Sequence, residues 1–204
     1  MKQNDNKPVD ILFEIASQQL GYFTAGQSIQ AGYQDAVHPY HIKKGNWIRK
    51  WRGIYRLARY PLSDNEQYAL WSLWSRNRQN IPEGVYSHQT ALSILELSDV
   101  MPQKLHMIVP FTFRRHSKIP EILTLHRKKL LPDEIEIHEG FSITRPIRTL
   151  IDLITDQSVS LDIIKQAYNE AKQRGLLLDV DFKNYFKNKE VYKKIVNCIG
   201  EIKV

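Results

Sequence analysis

A single cysteine, Cys198, in 204 residues leaves no intrachain disulfide and no Cys-based zinc site. No run approaches the ~20 apolar residues needed to span a bilayer, and the opening MKQNDNKPVD lacks the apolar stretch of a secretory signal. A soluble, cytoplasmic chain with no membrane partner is expected. Signature motifs are equally scarce: there is no GxxxxGK[ST] loop, no GxSxG elbow, no HExxH or HxxxH pair and no Cys/His pair. These gaps argue against P-loop nucleotide use, serine-hydrolase chemistry and a helical zinc site. Acidic residues run short in one region only. Residues 1–62 hold nine Lys or Arg against four Asp or Glu, whereas residues 63–204 hold twenty against eighteen. Most of the net +7 charge therefore sits in under a third of the chain, which favours a polyanionic partner for that part.

What is present is concentrated in residues 41–59, HIKKGNWIRKWRGIYRLAR, with seven cationic residues and no acidic one. Arg52-Gly53 forms the turn of a predicted hairpin between two runs rich in Trp, Ile, Tyr and Leu. Counting outward from that turn pairs Trp51 with Ile54, Lys50 with Tyr55, Arg49 with Arg56 and Ile48 with Leu57. Ile48, Lys50, Tyr55 and Leu57 then form the expected core face, and Trp47, Arg49, Trp51, Ile54 and Arg56 the outer one. Facing arginines repel, and an anion between Arg49 and Arg56 would remove that cost.

Three helices are predicted before the hairpin. The first opens at Pro8 and runs through Ile11, Leu12, Ile15 and Ala16 to a stop at Gly21. The second covers residues 25–31 behind a Thr24/Gln27 capping box. The third covers residues 36–44, or begins afresh at Pro39. The first 62 residues thus read as a winged helix-turn-helix, with Gln34, His38, Tyr40, His41, Lys43 and Lys44 offered to a DNA groove and Ile42 directed inward. Arg49, Lys50, Arg52 and Arg56 on the hairpin complete the expected DNA-binding set.

The turn around Pro61 is the expected boundary. Residues 63–204 read as an α+β domain, a small sheet flanked by helices. Its predicted strands are residues 105–110, 122–127, 135–137 and 141–144. Its helices are residues 65–76, one beginning at Ser87, 146–154 and 161–174, followed by a polar C-terminal segment. The whole chain is thus of α+β class.

No catalytic residue, cofactor or metal ligand is assigned. His106, His126 and His138 fall on separate predicted strands and could converge, but isolated strand histidines usually serve at the surface or the core edge. Ser87 beside His88 reads as a helix cap, since neighbours at a helix start point apart. Asp133, Glu134 and Glu136 are the carboxylates that a Mg²⁺-dependent nucleic-acid enzyme would need, and they read as a solvated edge.

The succession GYFTAGQSIQAGY, WIRKWRGIYRLARYP, YSHQTALSILELSDVMPQKLHMIVP, LTLHRKKL and ITRPIRTLIDLI, over residues 21–175, resembles the AbiEi-type antitoxins of type IV, abortive-infection toxin–antitoxin systems. The resemblance implies an N-terminal winged helix that binds inverted repeats in its own promoter. It also implies a C-terminal domain that counteracts a nucleotidyltransferase-like toxin. Carried over, Lys43, Lys44, Arg49, Lys50, Arg52 and Arg56 are the DNA-contacting basic residues. The third helix often carries a run of arginines in that family, and here it reads His38-Pro39-Tyr40-His41. A protein-interaction module and a metal-dependent nucleic-acid enzyme are the alternative readings.

Overall fold

The computed structural model describes residues 7–115, 117–184 and 188–200. Its class is α+β, as expected. The chain divides into two units, Met1–Gly84 with Ile137–Ser142, and Val85–Glu136 with Ile143–Val204.

In the first unit α1 (Pro8–Ser17) begins with a proline in its first turn and buries Leu12 and Ala16. It stops where Leu20 and Gly21 take φ of 53° and 82°, with the Gly21 N–H donating to the Ala16 carbonyl at 2.8 Å. A Cβ at residue 21 would stand 2.5 Å from the Tyr60 ring, so both the turn and the packing require glycine. A short strand, β1 (Tyr22–Thr24), follows. Helix α2 (Ala25–Gln30) carries the capping box: the Gln27 N–H donates to Thr24 Oγ1 at 3.1 Å and the Thr24 N–H to Gln27 Oε1 at 2.8 Å. A 3-10 turn at Asp35–Val37 then leads into α3 (His38–Lys43), where Pro39 sits in the first turn and removes no helical hydrogen bond.

Strands β2 (Trp47–Trp51) and β3 (Ile54–Leu57) form the hairpin, and the antiparallel order is β1-β3-β2. One face of this sheet meets a core of Leu12, Ala16, Phe23, Ala31, Trp47 and Tyr55, with Ile42 packed against it. On the strands, Ile54 and Arg56 alternate with Tyr55 and are also buried, and α4 (Glu66–Trp74) packs on β1 and β3.

The hairpin register differs from the expected one. Trp51 does pair with Ile54, but a bulge between Arg49 and Trp51 sets Arg49 opposite Tyr55 and Ile48 opposite Arg56. One extra residue in one strand reverses the phase of the alternation beyond it, so Trp47 turns inward and Ile48 is 41% exposed. The facing-arginine argument for an anion falls with that register. The boundary also lies later than the Pro61 turn. Tyr22 Oη donates to Glu66 Oε2 at 3.2 Å and Arg56 Nε forms an ion pair with the same oxygen at 2.9 Å, which ties α4 to the first sheet.

The second unit holds β4 (Val85–Tyr86), α5 (His88–Ile94), β5 (Leu105–Val109), β6 (Leu123–Arg127), α6 (Pro146–Asp156), α7 (Leu161–Gln173) and α8 (Lys189–Ile199), together with the first two residues of β7 (Ile135–His138) and the last two of β8 (Phe141–Thr144). The strand order is β6-β5-β4-β8-β7. Strands β5 and β6 run parallel, and β4 is antiparallel to β5 and parallel to β8. One core cluster is helical, with Leu92, Leu150, Leu153, Ile164, Phe182 and Ile195 from α5, α6, α7, α8 and the turn before α8, and the strands bury Tyr86, Met107, Ile108, Val109 and Ile143.

Helix α8 replaces the expected polar tail. Asn188 Oδ1 accepts from the Glu190 and Val191 N–H groups, and Val191, Ile195, Cys198 and Ile199 recur at helical spacing against the core. No described helix is long and apolar enough to cross a membrane.

Candidate nucleic-acid interface and a buried histidine cluster

Helix α3 and the hairpin present most of the cations that the sequence singled out. Lys43, Lys44, Arg49, Lys50 and Arg52 are exposed, as is Arg59, and none of the six pairs with a carboxylate among the described residues. Lys43 and Arg49 line one cleft of about 420 Å³ together with Asp35, His38, Pro39, Ile42 and Tyr55. Gln34 is exposed, and Tyr40 is 57% exposed with Lys44 Nζ 5.9 Å from its ring centre. Cationic stems around a shallow cleft, with an amide and a phenol beside them, are the side chains that meet phosphates and base edges.

Two expected members, Arg56 and His38, do not belong to that surface, and a third, His41, is half-buried. Arg56 is 2% exposed; besides Glu66 it serves the Tyr60 and Pro61 carbonyls at 2.8 Å, so it closes the turn after the hairpin. His38 is 3% exposed, its Nε2 on Ser28 Oγ at 2.9 Å and its Nδ1 on Asp35 at 3.1 Å. His41 stacks on Trp47 with ring centres 4.5 Å apart. Burial, then the neighbouring His38, lowers its pKa, which disfavours a charged contact with phosphate. Arg56 and His38 face inward because the helix and strand periods put them there, whatever their charge.

The second unit holds an assembly that sequence motifs do not mark. His106 and His126 sit two positions apart on one face of the parallel β5–β6 pair, since His106 is opposite Thr124 and His126 opposite Ile108. His106 Nδ1 lies 3.0 Å from His126 Nε2. His88, at the first position of α5, stacks on His126 with ring centres 3.8 Å apart and planes 14° apart. His138, the other strand candidate, stacks instead on Phe141. The expectation that strand histidines stay apart is therefore corrected for two of the three.

His88 itself is fully buried, with φ of 52°, a conformation that costs a non-glycine residue free energy. Its ring is held from both sides, Nδ1 on Ser87 Oγ at 2.8 Å and Nε2 on Asp156 Oδ2 at 3.0 Å. Ser87 is the residue before α5, but its hydroxyl serves His88 and makes no side-chain cap. Beyond Asp156 the chain of contacts continues. Lys128 Nζ donates to Asp156 Oδ2 at 2.7 Å and Asp152 Oδ1 at 2.9 Å, and Arg148 joins Asp152 to Glu134 at 2.8 Å each. Glu134 is thus buried and paired, in contrast to the solvated edge expected for it.

Burial raises the Asp156 carboxyl, but Lys128 and His88 outweigh it and hold the group below its ordinary value. Burial lowers His88, and Asp156 and Asp152 oppose that only in part. His106 is pushed down to about 4 by burial, then by His126 and Lys104. Burial, then His88 and Lys128, does the same to His126, also to about 4.

A pH dependence of stability follows. Unfolded histidines take up protons near pH 6.5, whereas the folded pair resists down to about 4. The unfolded state then binds more protons, so the contribution is complete above ~6.5 and lost as pH falls from there towards ~4. Discounted by about half for the partial exposure of both rings, the pair is worth on the order of 3 kcal/mol, or roughly 6–12 °C in Tm. Thermal melts in chelator at pH 7.5 and 4.5 should show the excess loss in the wild type and its absence in H106Q/H126Q. Parallel losses in both proteins would contradict it.

Neither residue spacing nor a family motif would have located this cluster, because its members come from a helix start and two strands about twenty positions apart. The Ser87-His88 dipeptide was the available signal. Among known proteins, no family model and no curated protein matches the chain. One similar solved structure is the RV2827C protein from Mycobacterium tuberculosis, with 10% identity, a TM-score of 0.48, and coverage of 82% of this chain and 73% of that one.

Proposed function

We propose that the first unit is a winged helix-turn-helix that binds duplex DNA through α3 and the β2–β3 hairpin. On this reading the protein is a non-enzymatic, cytoplasmic transcriptional repressor and antitoxin of the AbiEi type. The observation that carries the DNA reading is the set Lys43, Lys44, Arg49, Lys50 and Arg52, all exposed and without a carboxylate partner among the described residues. Five cations kept on one helix and one hairpin lose nothing by meeting phosphates and gain the release of condensed counterions. Gln34 and Tyr40 supply hydrogen-bonding side chains for base edges.

The order of elements supports the winged-helix reading: helix, strand, helix, helix, then a hairpin whose second strand pairs with the first. The antitoxin part rests on the resemblance of the sequence blocks, with inverted repeats in its own promoter as the DNA target and a nucleotidyltransferase-like toxin as the antagonist.

Binding of the full chain to the DNA upstream of its own gene, against a scrambled duplex of equal length, tests the proposal. A preference of ~10³-fold or more is expected of a specific repressor. Equal, weak binding to both duplexes would instead make the basic face a docking surface for an acidic protein.

A further inference from the structure

The geometry of His88, His106 and His126 points to a binding site for a single divalent transition-metal ion of the zinc class in the second unit. One nitrogen of each of the three lies within 4.8 Å of those of the other two. The His106 Nδ1 to His126 Nε2 separation of 3.0 Å is already close to the span of two ligands on one tetrahedral ion. With metal–nitrogen bonds of 2.0–2.1 Å that span is about 3.3 Å. Only slight spreading of β5 and β6 would be needed, and their rings lie 5.2 Å apart, as two imidazoles on one ion do. Both side chains are partly exposed, so an ion can reach them.

His88 is the ligand that must move. A ring stacked 3.8 Å over its neighbour cannot aim a lone pair at the same ion, and both its nitrogens are engaged, by Ser87 and by Asp156. Releasing one of those contacts and turning the ring brings it in, and the other contact then orients it from outside, as outer partners of metal-bound histidines do. Borderline imidazole nitrogens favour zinc, nickel, cobalt or copper over magnesium or calcium. Three protein ligands leave a fourth position for water or an outside donor, and the ion would tie α5 to β5 and β6.

The test uses the full chain stripped with chelator. Zn²⁺ titrated alone in a calorimeter should bind one ion per chain at micromolar affinity or tighter, and Co²⁺ should give the intense visible bands of a tetrahedral site. H106Q/H126Q should lose at least 100-fold in Zn²⁺ affinity together with those bands, while H138Q keeps both. Should H106Q/H126Q fail to fold, imidazole resonances of the wild-type protein decide. Zn²⁺ should shift those of His88, His106 and His126 together. Shifts confined to other histidines, or wild-type affinity no tighter than that of the variant, would overturn the site.

Discussion

The Arg56→Ala variant is expected to lose about 3–5 kcal/mol of stability, the cost of removing one partner from a buried ion pair. Arg56 is 2% exposed, and its loss leaves the Glu66 carboxylate without its cation and the Tyr60 and Pro61 carbonyls without their donor. Arg56→Glu should be worse, because a second carboxylate would then stand against Glu66. Arg49→Ala, two strand positions from the turn and exposed, should stay within about 0.5 kcal/mol of wild type. Urea unfolding separates the two cases directly. If Arg56→Ala and Arg49→Ala proved equally stable, the assignment of Arg56 to the fold rather than to the DNA would be wrong. Reversing both arginines at once would therefore confuse unfolding with loss of binding, and only the exposed cations are suitable for a binding test.

That test is the K43E/R49E/R52E variant, expected to lose at least about 10²-fold in affinity for duplex DNA. Lys43 and Arg49 share a cleft and Arg52 caps the hairpin, so the three sample the helix and the wing together. None has a carboxylate partner among the described residues, so replacing them exposes no buried charge and should spare the fold. A near-wild-type melting curve with collapsed binding is the expected pair of results. Unchanged binding would remove α3 and the hairpin from the interface.

The difference between Arg49 and Arg56 shows where the sequence is legible and where it is not. Local chemistry reads well: the Thr24/Gln27 capping box, Pro39 in the first turn of α3 and the Arg52-Gly53 turn are found as expected, and Gly21 takes a positive φ at the expected stop, although α1 itself ends at Ser17. So are β5, β6, β8 and α6 to within two residues, because period and breakers mark them. What fails depends on pairing over distance. The bulge at Lys50 is invisible in a pattern of alternating residues, and it exchanged the roles of Ile48 and Trp47. Strand β1 is three residues long and has no signal apart from its partner β3. The histidine cluster exists because two parallel strands stand in one register, a fact no local motif encodes. The acidic run likewise concealed Glu134, which is buried by Arg148, fourteen residues on.

The salt dependence of DNA binding addresses the central proposal most directly. If Lys43, Lys44, Arg49, Lys50 and Arg52 each neutralise a phosphate, log K against log salt should fall with a slope of roughly −4.5 per protomer, and K43E/R49E/R52E should flatten it to about −2. A wild-type slope near zero, or one the variant leaves unchanged, would contradict DNA binding through α3 and the hairpin.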